Sequence, residues 1–137
     1  YESSYNIYSG KNILLVEDNK RNAEVASELI GITGVNVELA ENGRVAVERC
    51  MAHEPGYYGL IFMDIQLPVM NGYDATKEIR RLKKKEAAKI PIFAMTANAF
   101  AEDIRTCMEA GMDAHIAKPV DLDLLEENIR IYMQAKA

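Results

Sequence analysis

The sequence predicts an α/β domain: a doubly wound, five-stranded parallel sheet in the order 2-1-3-4-5, with helices on both faces. Two observations lead there. Five short apolar runs, at residues 13–16, 35–40, 60–64, 91–95 and 114–117, are each followed by a segment whose apolar residues have helical spacing. Strict strand–helix alternation builds a parallel sheet through right-handed crossovers. The second run alternates apolar and polar residues (Val35, Val37, Leu39), as an edge strand does, whereas Ile13-Leu14-Leu15-Val16 and Leu60-Ile61-Phe62-Met63 are unbroken, as strands buried on both faces are.

Each element has its own signal. Tyr1 to Gly10 is polar and without sustained period, so residues 1–10 read as a linker or disordered N-terminal segment and 11–137 as the domain. After the first strand, Asp18 or Asn19 is a natural N-cap for a helix that turns Val25, Ala26, Leu29 and Ile30 inward, with Gly31 and Gly34 as the stop. Asn42-Gly43 opens a second helix burying Ala46, Val47 and Cys50, which ends before Pro55-Gly56. The third strand, Leu60 to Asp64, runs into a loop closed by Asn71-Gly72. A helix from about Tyr73 to Lys85 then buries Ala75, Ile79 and Leu82. Pro91 to Met95 forms the fourth strand and ends in Thr96. Ala101 to Ala110 is helical with Ile104, Cys107 and Met108 inward, and Gly111 stops it. Ala114 to Ala117 is the fifth strand, ending in Lys118-Pro119. A last helix from about Asp121 carries Leu122, Leu125, Ile129 and Tyr132 on one stripe.

Composition narrows the function. The chain of 137 residues suits one core and is too short for two. A net charge of -5 offers no basic footprint for nucleic acid. The basic cluster of Arg80, Arg81, Lys83, Lys84 and Lys85 reads as the solvated end of a helix. No apolar run approaches membrane-spanning length and no signal-peptide pattern is present, so a cytoplasmic domain without membrane contact is expected. Cys50 and Cys107 lie in helical apolar patterns and read as buried thiols in a reducing compartment.

The chemistry gathers at the strand ends. In an open parallel sheet the ligand crevice lies beyond the carboxyl ends of the strands, at the switch point between strands one and three. Those ends carry Glu17 and Asp18, Asp64, Thr96 and Lys118. Each has a plain explanation alone: a helix cap, a loop cap, a backbone-bonded hydroxyl, a surface lysine. Their coincidence at four strand ends points elsewhere. Clustered carboxylates suit a hard divalent cation such as Mg²⁺, and an opposing lysine and hydroxyl suit a phosphoryl group. The implied chemistry is phosphoryl transfer to or from a carboxylate.

Val16-Glu17-Asp18-Asn19, Met63-Asp64-Ile65-Gln66-Leu67-Pro68-Val69-Met70-Asn71-Gly72, Met95-Thr96-Ala97-Asn98-Ala99 and Lys118-Pro119 resemble the signature blocks of receiver domains of two-component response regulators, over about residue 11 to the C-terminus. The resemblance implies the flavodoxin-like receiver fold, with Asp64 as phosphoacceptor. It further implies Mg²⁺ (or Mn²⁺) held by Glu17, Asp18, Asp64 and the backbone carbonyl of Gln66. Thr96 and Lys118 would grip the phosphoryl oxygens, across a cis Lys118–Pro119 bond. The wording of the first and third blocks is most similar to receivers of hybrid histidine kinases, and a chain ending after the fifth helix leaves no room for a DNA-binding output domain. A stand-alone response regulator is the competing reading.

The expected partner is a histidine kinase or histidine phosphotransfer domain, docking on the rim around Asp64: Asn19, Arg21 and Asn22, with Pro119 nearby. Dimerisation stays open. The switch position three before Lys118, usually Tyr or Phe in the family, is His115. The resemblance implies a ring that turns inward when Thr96 moves, sending the signal out through the fourth helix, fifth strand and fifth helix. The plainer reading is a partly buried strand histidine. As to enzymes, a receiver catalyses its own phosphorylation and dephosphorylation. An aspartate-nucleophile phosphohydrolase would need an acid where Gln66 stands, and a flavin carrier would need a phosphate loop where Glu17-Asp18-Asn19-Lys20 is acidic.

Overall fold

The computed structural model describes residues 12–32, 34–54, 56–82, 89–96, 101–117, 123, 127, 129 and 130. The strands are β1 (Asn12–Val16), β2 (Asn36–Ala40), β3 (Tyr58–Asp64), β4 (Ile92–Thr96) and β5 (Ala114–Ala117). Between them lie α1 (Lys20–Gly31), α2 (Gly43–Ala52), α3 (Gly72–Arg80) and α4 (Ala101–Ala110). After β5, Asp123, Glu127, Ile129 and Arg130 are helical. All strand pairs are parallel and the order is β2-β1-β3-β4-β5, as the sequence predicts.

Side chains alternate across the sheet and divide the core in two. Leu14, Val16, Ile61, Met63, Ile92 and Ala94 face Ala46, Cys50, Ala75, Ile79 and Cys107 of α2, α3 and α4. Ile13, Leu15, Leu60, Phe62, Phe93, Met95 and Ile116 face Ala26 and Ile30 of α1 and Ile129. Phe62 and Phe93 meet edge to face across β3 and β4, ring centroids 5.7 Å apart. Both cysteines are free and buried, and burial pushes the Cys50 thiol up to about 11, with the Arg80 charge opposing.

Two inward assignments are corrected, those of Val25 and Met108. Val25 is exposed because the buried stripe of α1 is narrow, running through Ala23, Ala26 and Ile30. Met108 is exposed because the buried line of α4 runs through Cys107 and Ala110. Leu39 lies at the end of edge strand β2 and is exposed, whereas Val35 and Val37 pack into the α1-side core. The third helix also ends at Arg80, five residues short of the expected Lys85, and residues 83–88 lie outside the described residues.

Arg80 is a further correction. It is not solvated: its guanidinium donates to the carbonyls of Gly111 and Ile90 and to Asp113. The chain around the α4–β5 connection therefore closes onto α3.

Candidate functional site

Capping residues aim the strand ends. Asn19 Oδ1 accepts the Asn22 N–H at 2.9 Å and starts α1 directly after Glu17 and Asp18. Asn71 Oδ1 accepts the Asp74 N–H at 2.9 Å and starts α3. The loop between β3 and α3 is pinned at both ends. The Gly72 N–H donates to Ile65 O at 2.9 Å, and the Gly43 N–H at the start of α2 donates to Met70 O at 3.1 Å. Neither glycine has room for a side chain: a Cβ would stand 2.3 Å from Asp64 O at position 72 and 2.2 Å from Met70 O at position 43. Val69, at φ 67° and 80% exposed, turns the loop outward.

These anchors bring Glu17, Asp18 and Asp64 together. One carboxylate oxygen from each lies within 4.8 Å of the others, Glu17 and Asp64 buried and Asp18 exposed. Two backbone amides hold the inner pair: Asn19 N–H donates to Glu17 Oε1 and Gln66 N–H to Asp64 Oδ1, each at 3.3 Å. A donor set of oxygens alone, three of them anionic and spaced for one ion, fits a hard divalent cation.

The acids open into a cavity of about 310 Å³. Its walls include Asn19, Asn22, Gln66 and buried Thr96, so four further expected residues converge there. Arg21 is exposed but does not line the cavity. His115 is exposed in β5, paired with Ala94, rather than partly buried. Lys118 and Pro119 lie outside the described residues. The cavity wall adds two residues that sequence reasoning missed, Tyr73 of α3 and Asp103 of α4. The signal available for Tyr73 was its place just after Asn71-Gly72, the helix start that closes the β3 loop; Asp103 carried none beyond its position in the first turn of α4.

No helix among the described residues is long and apolar enough to cross a membrane. The chain is 39% identical over 118 residues to the peroxide stress-activated histidine kinase mak1 of Schizosaccharomyces pombe, covering 85% of this chain and 7% of that protein. It is 40% identical over 114 residues to the hybrid signal transduction histidine kinase M of Dictyostelium discoideum, covering 82% and 5%. It thus spans a small part of the curated relatives it matches. Among solved structures, the receiver domain of the sensor histidine kinase PA1611 from Pseudomonas aeruginosa, with magnesium coordinated in its active site cleft, superposes with a TM-score of 0.82 at 36% identity, over 92% of this chain and 99% of that one. The co-crystal structure of the Saccharomyces cerevisiae phosphotransfer protein Ypd1 and the receiver domain of the response regulator Ssk1 gives a TM-score of 0.85 at 32% identity, covering 96% and 94%. With the response regulator receiver domain profile matching residues 13–130, this chain belongs to the response regulator receiver family.

Proposed function

We propose that the domain is a phosphorelay receiver in which Asp64 takes a phosphoryl group from a phosphohistidine. The observation that carries this is the convergence of Glu17, Asp18 and Asp64 within one ion's reach, in a cavity that also holds Thr96. A carboxylate oxygen of Asp64 forms the new P–O bond as the P–N bond of the donor breaks. The donor imidazole leaves with the bonding pair and takes up a proton. Phosphoryl transfer asks the protein mainly for position and charge.

Glu17, Asp18, Asp64 and the Gln66 carbonyl would hold Mg²⁺, with Mn²⁺ as a substitute, and the ion's charge would neutralise the phosphoryl oxygens. Asp64 carries about two negative charges once phosphorylated. With Glu17 and Asp18 the site then holds about four, and one divalent cation with Lys118 reduces that to about minus one. Metal dependence follows from this count. Thr96 and Lys118 bind the phosphoryl oxygens in this reading, and Asn19, Arg21, Asn22 and Pro119 meet the donor.

The donor is a histidine kinase or a histidine phosphotransfer domain, in line with the complex formed by the Ssk1 receiver. The parent protein is a hybrid histidine kinase, as the relatives' names suggest, with this domain in its cytoplasmic part. Incubation with acetyl phosphate and Mg²⁺, read by intact-mass spectrometry, tests the site. The wild type should gain one phosphoryl group and Asp64→Asn none. Full labelling of Asp64→Asn at another residue would overturn the assignment, and sustained phosphate release from a small monoester would indicate a phosphohydrolase.

A further inference from the structure

Asp103 brings a fourth carboxylate to the cavity that holds Glu17, Asp18 and Asp64. The other three stand at strand ends, whereas Asp103 is half-buried in the first turn of α4. It is not one of the acids whose oxygens lie within 4.8 Å of one another, so it stands outside the set that would share one ion. Among the described residues of the wall there is no Lys, Arg or His. Arg21 and Arg105 are exposed and do not line it. The plain reading of Asp103 is an acid favoured by the dipole at the start of a helix. That reading does not account for its place on an acidic cavity, where like charges repel.

We propose that Asp103 selects the phosphodonor by charge, disfavouring anionic acyl phosphates against N-phosphoryl donors. The inference rests on the reading of Asp64 as phosphoacceptor. With a divalent cation and Lys118 in place, the strand-end acids are neutralised, and Asp103 leaves about one negative charge over. An acyl phosphate enters with about two negative charges, part of which a protonated nitrogen on phosphorus would offset. In both cases an Asp64 oxygen forms the new P–O bond. From acetyl phosphate the old P–O bond breaks and acetate leaves with the bonding pair. From phosphoramidate, protonated on nitrogen, the P–N bond breaks and ammonia leaves with the pair. A cleft lined by one sign of charge focuses its field on whatever diffuses in, so the more anionic donor is held back more.

The test follows phosphorylation of the full chain by intact-mass spectrometry at saturating Mg²⁺, with acetyl phosphate or phosphoramidate as donor and KCl varied. At low ionic strength Asp103→Asn should speed labelling by acetyl phosphate about threefold, the effect of one unit charge on a doubly charged donor about 10 Å away in water. Phosphoramidate should gain less. The gap between variant and wild type should close near 1 M KCl, where the screening length is about 3 Å. Asp103→Glu, which keeps the charge, should behave as wild type. A change in packing at the start of α4 would not follow salt in this way. Unchanged labelling in Asp103→Asn overturns the proposal, as does an equal gain with both donors or a gain that persists at high salt. A lowered melting temperature without any change in donor preference would leave Asp103 as a helix-end residue and overturn it too. Labelling of wild type that survives in Asp64→Asn is a different failure, that of the phosphoacceptor reading.

Discussion

Arg80 at the end of α3 places Nη2 2.8 Å from Asp113 Oδ2, and the same carboxylate oxygen accepts the Ile92 N–H at 2.8 Å where β4 begins. Arg80 Nε donates to Gly111 O at 2.9 Å, at a glycine with φ 106° whose missing side chain leaves room for the arginine stem. One guanidinium thus fastens α3, the α4–β5 turn and the start of β4. Burial pulls its pKa down while Asp113 pulls it up.

Removing that fork takes a donor from two carbonyls, Gly111 O and Ile90 O, and from the Asp113 carboxylate, at about 1 kcal/mol each. Arg80→Ala should therefore cost about 3 kcal/mol in urea unfolding. Arg80→Lys should recover little, since a point charge cannot serve three directions. Asp113→Asn keeps an acceptor for Ile92 and should cost on the order of 1 kcal/mol. Equal stability of Arg80→Lys and wild type would show that charge alone matters.

Asp18 is the exposed member of the acidic trio, so its removal should change ion binding more than stability. Asp18→Ala should weaken Mg²⁺ binding by about tenfold or more, for loss of one anionic ligand. The chain has no Trp and 7 Tyr, which makes tyrosine emission or NMR the readout. Unchanged affinity would remove Asp18 from the site.

Gly72→Ala sets a methyl group 2.3 Å from the Asp64 carbonyl oxygen, a contact that only backbone movement relieves. A loss of roughly 3 kcal/mol or more is expected, beyond ordinary overpacking because the obstacle is main chain. Calorimetry measures it. Gly31→Ala, with nothing within 4 Å of the added carbon, serves as the control that should stay near wild type.

At the opposite end of the sheet Glu38 of β2 accepts hydrogen bonds from Tyr57 Oη, Tyr58 Oη and Arg49 Nη1, with His53 stacked on Tyr57 at 3.7 Å. Burial works to raise the Glu38 pKa, but the two phenol hydrogen bonds and the His53 and Arg49 charges together hold it below the ordinary carboxylate range. A depressed carboxylate contributes stability above its unfolded pKa and loses it as pH falls through the folded one. Glu38→Gln should flatten the fall in thermal stability on acidification below the ordinary carboxylate range, and wild type and variant should converge at the acid end. Parallel curves for the two proteins would show that Glu38 is not the titrating group.

How much of this was legible in the sequence depended on distance along the chain. Strands β1, β3 and β4 announced themselves because strands buried on both faces have no polar face to interrupt them, and the acids at their ends were therefore already placed. Asn19, Asn42 and Asn71 were readable as caps or turns because a cap bonds three residues on. Arg80 was misread because its partners lie 10, 31 and 33 residues away, and locally it looks like any basic helix end. Val25 and Met108 fit an apolar stripe, yet only packing reveals how narrow the buried strip is. Tyr73 and Asp103 escaped for a similar reason: strand ends define the floor of the cavity, whereas α3 and α4 supply a wall.

Position 43 carries no chemistry of its own, yet its N–H holds Met70 O and its bare Cα admits that carbonyl. The β3 loop that presents Gln66 thus takes its shape from the N-terminus of a neighbouring helix. In a selection for signalling, substitutions at Gly43 should cluster phenotypically with those at Asp18 and Asp64, although residue 43 would touch neither ion nor phosphoryl group. A map of functional sensitivity would draw the site larger than its chemistry, extended along the main chain into α2.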